Sequence, residues 1–388
     1  MNIGLLGFGV VGRGVYDILA GRDDIRVRTV LCRRDLGALT CAATRDMQDI
    51  LDDPGIDTVV EVMGGLEPAY AYVSAALAAG KHVVTSNKQL LCRYYKELTA
   101  LAKANGVTLR GTAAVGGGIP WLTNLEKAAR VNRISSVGGI LNGTTNFIMD
   151  AMHKGDVEFG DVLRRAQELG YAEADPSADI DGWDIQRKLI ISASVAFGVC
   201  LREEDVPVFG IRSVSAADIR RFRQRGYTCK LIARAERLED SVAAYVEPTL
   251  LAAGALESAV PANFNLVSME GEYMGRQSFY GQGAGRYPTA YNVVQDLMDI
   301  AGGKAGFYTD SFAPCETNNA GALHRYYVRT TAACPELDAA AQEDWDGAVV
   351  TLPVSVAHMH ALLPRLLEAD PESFIAAVQG GGRDAEGC

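Results

Sequence analysis

No long block of Lys and Arg interrupts this 388-residue chain, and its formal charge is −11. That balance argues against nucleic acid or an anionic membrane surface as a partner. No apolar run approaches the roughly 20 residues that a membrane span needs. The opening MNIGLLGFGVVG lacks a basic leader and a small-residue cleavage site, so a first strand is expected there and not a signal peptide. The eight cysteines (Cys32, Cys41, Cys92, Cys200, Cys229, Cys315, Cys334, Cys388) form no C-x-x-C pair and no metal-ligand spacing. Reduced thiols in a cytoplasmic protein are the expectation. What remains is ordinary for a globular protein: 48% apolar and 22% charged residues, in a chain long enough for two or three domains.

Strands alternate with helices over the first third. Asn2 to Leu6, Ile25 to Leu31, Thr58 to Met63, His82 to Thr85 and Val107 to Leu109 read as strands. Val10 to Leu19, Pro68 to Ala79 and a stretch ending near Asn105 read as helices. This alternation predicts an α/β fold, a Rossmann-type doubly wound parallel sheet. From Ile134 the rhythm changes to polar, glycine-punctuated stretches around one apolar helix, Ile185 to Val199, expected to be buried. The predicted organisation is a cofactor domain over 1–133, completed by 286–320; an α+β substrate and dimerisation domain over 134–285; a small C-terminal appendage over 322–380; and a disordered tail, 381–388.

Gly7-Phe8-Gly9-Val10-Val11-Gly12 fits G-x-G-x-x-G between the first strand and its helix. Such glycines permit a tight turn and close approach of backbone to a pyrophosphate at the helix N-terminus. An NAD site carries an acidic residue after the second strand, whereas this chain has Cys32-Arg33-Arg34 there. Two guanidiniums suit a 2′-phosphate, so NADP is the expected cofactor, with NAD as the alternative. Gly64 and Lys88 follow the next strands, where ligands of open α/β sheets sit. For Lys88, position alone suits a surface lysine equally well.

Five carboxylates, Glu173, Asp175, Asp179, Asp181 and Asp184, fall within twelve residues ahead of the apolar helix. Asp184 and Lys188 stand at i and i+4 and can pair. Asp181 with Asp184 could instead cap the helix. The spacing lacks the order of a calcium loop, and a lysine among carboxylates suits an amino-acid substrate better.

The segment GYAEADPSADIDGWDIQRK strongly resembles the signature of homoserine dehydrogenases. LNGTTNFI (141–148), TSNK (85–88), AAVGGGIP (113–120) and GQGAGRYPTA (281–290) resemble further family signatures, in family order. The resemblance covers about residues 1–320. It implies NADPH-dependent reduction of L-aspartate 4-semialdehyde to L-homoserine, in threonine and methionine biosynthesis, by a homo-oligomer (dimer or tetramer). It implies Lys188 as proton donor, with Glu173, Asp179, Asp184, Gly143 and Thr144 around the substrate. Lys88 and Gly283 would touch cofactor or substrate. Gly143 stands where phosphorylating aldehyde dehydrogenases carry their nucleophilic Cys, which disfavours acyl chemistry. Aldehyde-to-alcohol reduction needs only a hydride and a proton donor.

The family also places a monovalent cation, sodium, on the backbone carbonyls of Val115, Gly117 and Ile119, beside an acidic side chain. That position is Thr112 here, so weaker binding is expected. The appendage begins like a βαββαβ regulatory domain but lacks its glycine turn and long first helix, which predicts a reduced, divergent form dispensable for hydride transfer. Two other readings are another NADP-linked amino-acid oxidoreductase and a catalytically silent NADP(H)-binding sensor. Glu173, Asp184 and Lys188 together argue against the sensor.

Overall fold

The structure is a computed structural model describing residues 1–34, 37, 39–304, 306, 312 and 315–379; the expected disordered tail lies outside them. The chain forms two compact units. One comprises Met1–Asn132, Ile190–Arg202 and Gly281–Pro314, the other Arg133–Leu189, Glu203–Tyr280 and Cys315–Cys388.

In the first unit, β-branched runs such as TVVE and HVVT form strands covered on both faces. The strands are β1 (Asn2–Leu6), β2 (Arg26–Leu31), β3 (Ala42–Thr44), β4 (Thr58–Glu61), β5 (His82–Thr85) and β6 (Leu109–Arg110). All pair in parallel, in the order β3-β2-β1-β4-β5-β6. Chain direction across the sheet reverses between β1 and β4, which opens a crevice at their carboxyl ends. β4 stops at Glu61, short of the Met63 expected from sequence. The buried Glu61 carboxylate accepts from Met63 N (2.8 Å) and Gly64 N (3.2 Å), turning the backbone out of the ladder. The helix Arg286–Ala301 returns to this unit and packs Ala290, Val293, Val294 and Leu297 against Ile3, Leu5, Val15 and Leu19. Burying each Val or Leu fully contributes about 1.5–3 kcal/mol.

The second unit holds a mixed sheet. Its strands are β7 (Ile134–Ile140), β8 (Tyr227–Arg237), β9 (Ser241–Ala252), β10 (Phe264–Gly271), β11 (Gly275–Gln282), β12 (Glu316–Thr317), β13 (Leu323–Arg329), β14 (Ala341–Asp344), β15 (Val349–Thr351), β16 (Val354–Ser355) and β17 (Phe374–Val378). The main order is β11-β10-β7-β8-β9-β17-β13-β15-β14. After residue 322 the chain runs strand, helix Pro335–Ala340, three strands (the last, β16, of two residues), helix Val356–Ala369, strand. The elements of a βαββαβ order are thus present with β16 added between the helices, and the first helix is only six residues long, as the missing long helix led one to expect. This segment is sewn into the sheet, since β17 pairs in parallel with β9. Buried polar bonds pin it further: Glu247 on β9 accepts from Tyr326 Oη (3.1 Å) and contacts His360 Nε2 (3.0 Å), and Asp218 accepts from Tyr327 Oη (2.6 Å).

The apolar helix spans Trp183–Phe197 and ends before Gly198, whose φ of +66° is left-handed. Among the described residues, no helix is long and apolar enough to cross a membrane.

Candidate active site

Within the first unit, a cleft of about 410 Å³ lies at the crevice between β1 and β4. Gly7, Phe8, Gly9 and Gly64 line it, together with Arg33 and Arg34. Gly12 cannot be replaced without moving the turn, because a Cβ there would meet Gly7 O at 2.2 Å. Gly9 is the N-cap of the helix Val10–Leu19 and no side chain caps it, so the first N–H groups at Val10 and Val11 are left for a ligand. This cradle fits a dinucleotide pyrophosphate. Arg45 also lines the cleft, a third exposed cation not expected from sequence because it follows β3, a strand too short to show a pattern.

Lys88 opens the helix Lys88–Ala104 and is partly buried. Asn87 caps that helix by accepting from Leu90 N (3.1 Å), and its Nδ2 donates to Gly65 O (2.6 Å). Thr85 Oγ1 donates to Glu61 (2.6 Å). Glu61 thus ties the loops after β4 and β5 together, and burial pushes its carboxyl above the ordinary range. A lone carboxylate inside TVVEVM was the signal that could have flagged it.

In the second unit, five residues converge on the start of the helix Gly143–Gly155. Lys188 Nζ donates to Asp184 Oδ2 (2.7 Å) and to Leu141 O (2.8 Å). Asn142, the N-cap, accepts from Thr145 N (2.9 Å) and donates from one Nδ2 to Asp179 Oδ1 (2.7 Å) and Asp184 Oδ2 (2.8 Å). Thr144 Oγ1 reaches Asp179 Oδ2 (3.1 Å) and Tyr171 O (2.5 Å). Gly143 has no room for a side chain, since a Cβ would stand 2.7 Å from Asn263 O. The i,i+4 pairing expected from sequence is present and buried, at 8% exposure for Lys188 and 3% for Asp184. Burial, then the neighbouring Asp184 charge, raises the Asp179 carboxyl above its usual range. Glu173 is exposed, and none of these bonds involves its carboxylate. Asn142 was overlooked as a site residue, although an Asn between an apolar strand and a GTT helix start is a capping signal.

The loop expected to hold a cation, in the first unit, is already engaged. Asn292 Nδ2 donates to Gly117 O (2.6 Å) and Ile119 O (3.0 Å). Thr112 Oγ1 donates to Asp296 (2.7 Å). This set does not fit a monovalent cation: two of the three carbonyls already accept from the same amide nitrogen, and position 112 supplies no carboxylate. Gly283 lies against this loop, its carbonyl 2.4 Å from where a Cβ on Gly117 would sit.

Comparison with known proteins bears on both units. The family model for homoserine dehydrogenase matches residues 120–298, and that for the homoserine dehydrogenase NAD binding domain matches residues 7–111. A homoserine dehydrogenase from Synechocystis is 44% identical over 318 residues, 78% of this chain and 73% of that protein. One from Bacillus subtilis is 41% identical over 314 residues, 77% of this chain and 72% of that protein. The crystal structure of a homoserine dehydrogenase from Thiobacillus denitrificans superposes with a TM-score of 0.87 at 34% identity, covering 98% of this chain and 99% of that one. A hyperthermophilic archaeal homoserine dehydrogenase mutant, solved in complex with NADPH, gives a TM-score of 0.67 at 26% identity, covering 77% of this chain and 97% of that one.

Proposed function

This chain belongs to the homoserine dehydrogenase family, nicotinamide-dependent oxidoreductases acting on a small molecule, and we propose that it reduces L-aspartate 4-semialdehyde to L-homoserine with NADPH, for threonine and methionine biosynthesis. The observation that carries the reading is the Lys188 ammonium, held by Asp184 and the Leu141 carbonyl beside Asp179.

Reduction of an aldehyde needs a hydride at carbon and a proton at oxygen. When bound, the nicotinamide supplies the hydride. Lys188 supplies the proton to the nascent alkoxide, and Asp184 holds its amine in position. Asp179, destabilised as a carboxylate by burial and by Asp184, gains a counter-charge from the substrate's ammonium. The first turn at Gly143 and Thr144 offers N–H donors to the substrate carboxylate. Glu173, which is exposed, completes the ammonium's surroundings only by moving inward.

For the cofactor, Gly7, Gly9 and Gly12 hold the pyrophosphate, and Arg33 and Arg34, joined by Arg45, take the 2′-phosphate. Lys88 and Gly283 attend the cofactor. A NADPH-bound relative of the same fold is consistent with this choice. We place the enzyme in the cytoplasm as a homo-oligomer, dimer or tetramer. The exposed edge strand β11 offers backbone groups that a second copy can cover.

The test is loss of NADPH absorbance on adding aspartate semialdehyde to purified protein, with NADH in parallel. Turnover that favours NADH, or that occurs only with other amino aldehydes, would refute the reading.

A further inference from the structure

Asn292 sits on the helix Arg286–Ala301 at 1% exposure, and its amide nitrogen carries two hydrogens for two carbonyls, Gly117 O and Ile119 O. One turn further along the helix, Asp296 is equally buried. It accepts from Thr112 N (2.8 Å), Thr112 Oγ1 (2.7 Å) and Arg110 Nε (3.0 Å). Arg110 is itself buried and also reaches Asp299 (2.7 Å).

A cation needs convergent oxygens and a negative charge close by. Here an amide nitrogen, a donor where a cation would sit, already bonds two of the oxygens. The nearby carboxylate, Asp296, is already balanced by a guanidinium. The residue at 112 explains why these features go together. A carboxylate at that position would lie against Asp296, and two buried carboxylates in contact need a cation to hold them. Thr112 is neutral and donates, so that need disappears.

We infer that this chain has replaced the family's monovalent cation with parts of its own. Asn292 holds the loop carbonyls, Arg110 supplies the positive charge, and Thr112 removes the requirement for an ion. Asn292 is then a positioning residue. The loop it fixes packs at Gly117 against Gly283 and hydrogen-bonds Gln282 O through Gly118 N (3.0 Å), so it sets the backbone expected to meet the cofactor.

The test uses the full chain, dialysed into tetramethylammonium chloride and titrated with sodium or potassium chloride at constant ionic strength. Thermal midpoint and NADPH KM are read together. A ligand that binds only the folded state raises the midpoint as its concentration rises, so the expected result is a flat midpoint and an unchanged KM in all three salts. A saturable rise with sodium or potassium, absent with tetramethylammonium, overturns the inference. Asn292→Ala should lower the midpoint in every salt and raise NADPH KM; a variant indistinguishable from the parent shows that the amide does not hold the loop. Adding Thr112→Glu to Asn292→Ala should create a sodium-dependent midpoint, and no such response would mean that the carbonyls were never a cation site. The midpoint readings require no substrate, so they stand apart from the assignment of activity.

Discussion

Lys188 donates to Asp184 across one turn of the helix Trp183–Phe197, with Nζ 2.7 Å from Oδ2 and both side chains buried. On a solvated helix the same spacing is worth only about 0.2–0.5 kcal/mol. In a buried setting, with Leu141 O as a second acceptor, the Lys188 side chain is held in one place, as the proposed proton donor requires.

Lys188→Ala should therefore lower turnover by about 10²–10⁴-fold, the range for loss of a positioned acid. NADPH affinity should stay close to the parent value, because the glycine cradle belongs to the other unit. Asp184→Asn should cut turnover too, with more of its effect in substrate KM. Steady-state kinetics on folded variants decide this, and near-normal turnover of Lys188→Ala would move the proton donor elsewhere, with Lys88 the next candidate.

Arg34→Ala should weaken NADP binding while leaving NAD binding nearly untouched. A charge-assisted bond contributes about 1.5–3 kcal/mol, roughly 10- to 100-fold in affinity. Arg45→Ala should act in the same direction, which the sequence alone gave no reason to expect. Titration calorimetry with both cofactors measures it; equal losses for NAD and NADP would place these arginines on the pyrophosphate or outside the site.

Acid sensitivity should trace in part to His153, whose Nε2 accepts from Cys229 N (2.9 Å) and must be neutral to do so. Burial lowers its pKa from 6.5 to about 4. The unfolded chain then binds a proton that the folded one refuses, so stability falls as pH drops from about 6.5 towards 4. His153→Gln keeps an acceptor and cannot titrate. Its urea midpoint should fall less steeply than the parent's over that window, and parallel slopes would exclude His153 as the cause.

Stability should depend on the C-terminal segment, and hydride transfer should not. Tyr326→Phe combined with His360→Leu strips Glu247 of its bonds to β13 and to the helix Val356–Ala369. Breaking a buried charged contact of this kind costs about 3–5 kcal/mol. Denaturant midpoints should drop accordingly while turnover of the folded fraction is retained; an unchanged midpoint, or lost turnover at full folding, would contradict this.

The first unit was largely legible because parallel strands are continuous apolar runs and its glycine turn is punctuated in sequence. Asn2–Leu6, Val10–Leu19 and His82–Thr85 follow from pattern alone. The mixed sheet was not. β9 is buried almost throughout yet carries Glu247 and Pro248, so it offers neither clean alternation nor an unbroken apolar run. Lys188 and Asp184 were readable from local spacing. Asn142, Glu61 and Asn292 act through partners distant in sequence, which periodicity does not report.

β17 lies between β9 and β13, and Ala377 pairs with Thr249. The strand that joins the two parts of the sheet is thus the last to be synthesised of those it connects. Until it arrives, the β9 edge beyond Val242 has no strand beside it, and no strand joins β13, β15 and β14 to the rest of the sheet. Contacts of such sequence separation form late and slowly. During that interval the open edge is exposed to other nascent chains, so the yield of folded enzyme depends on how quickly Phe374–Val378 closes it.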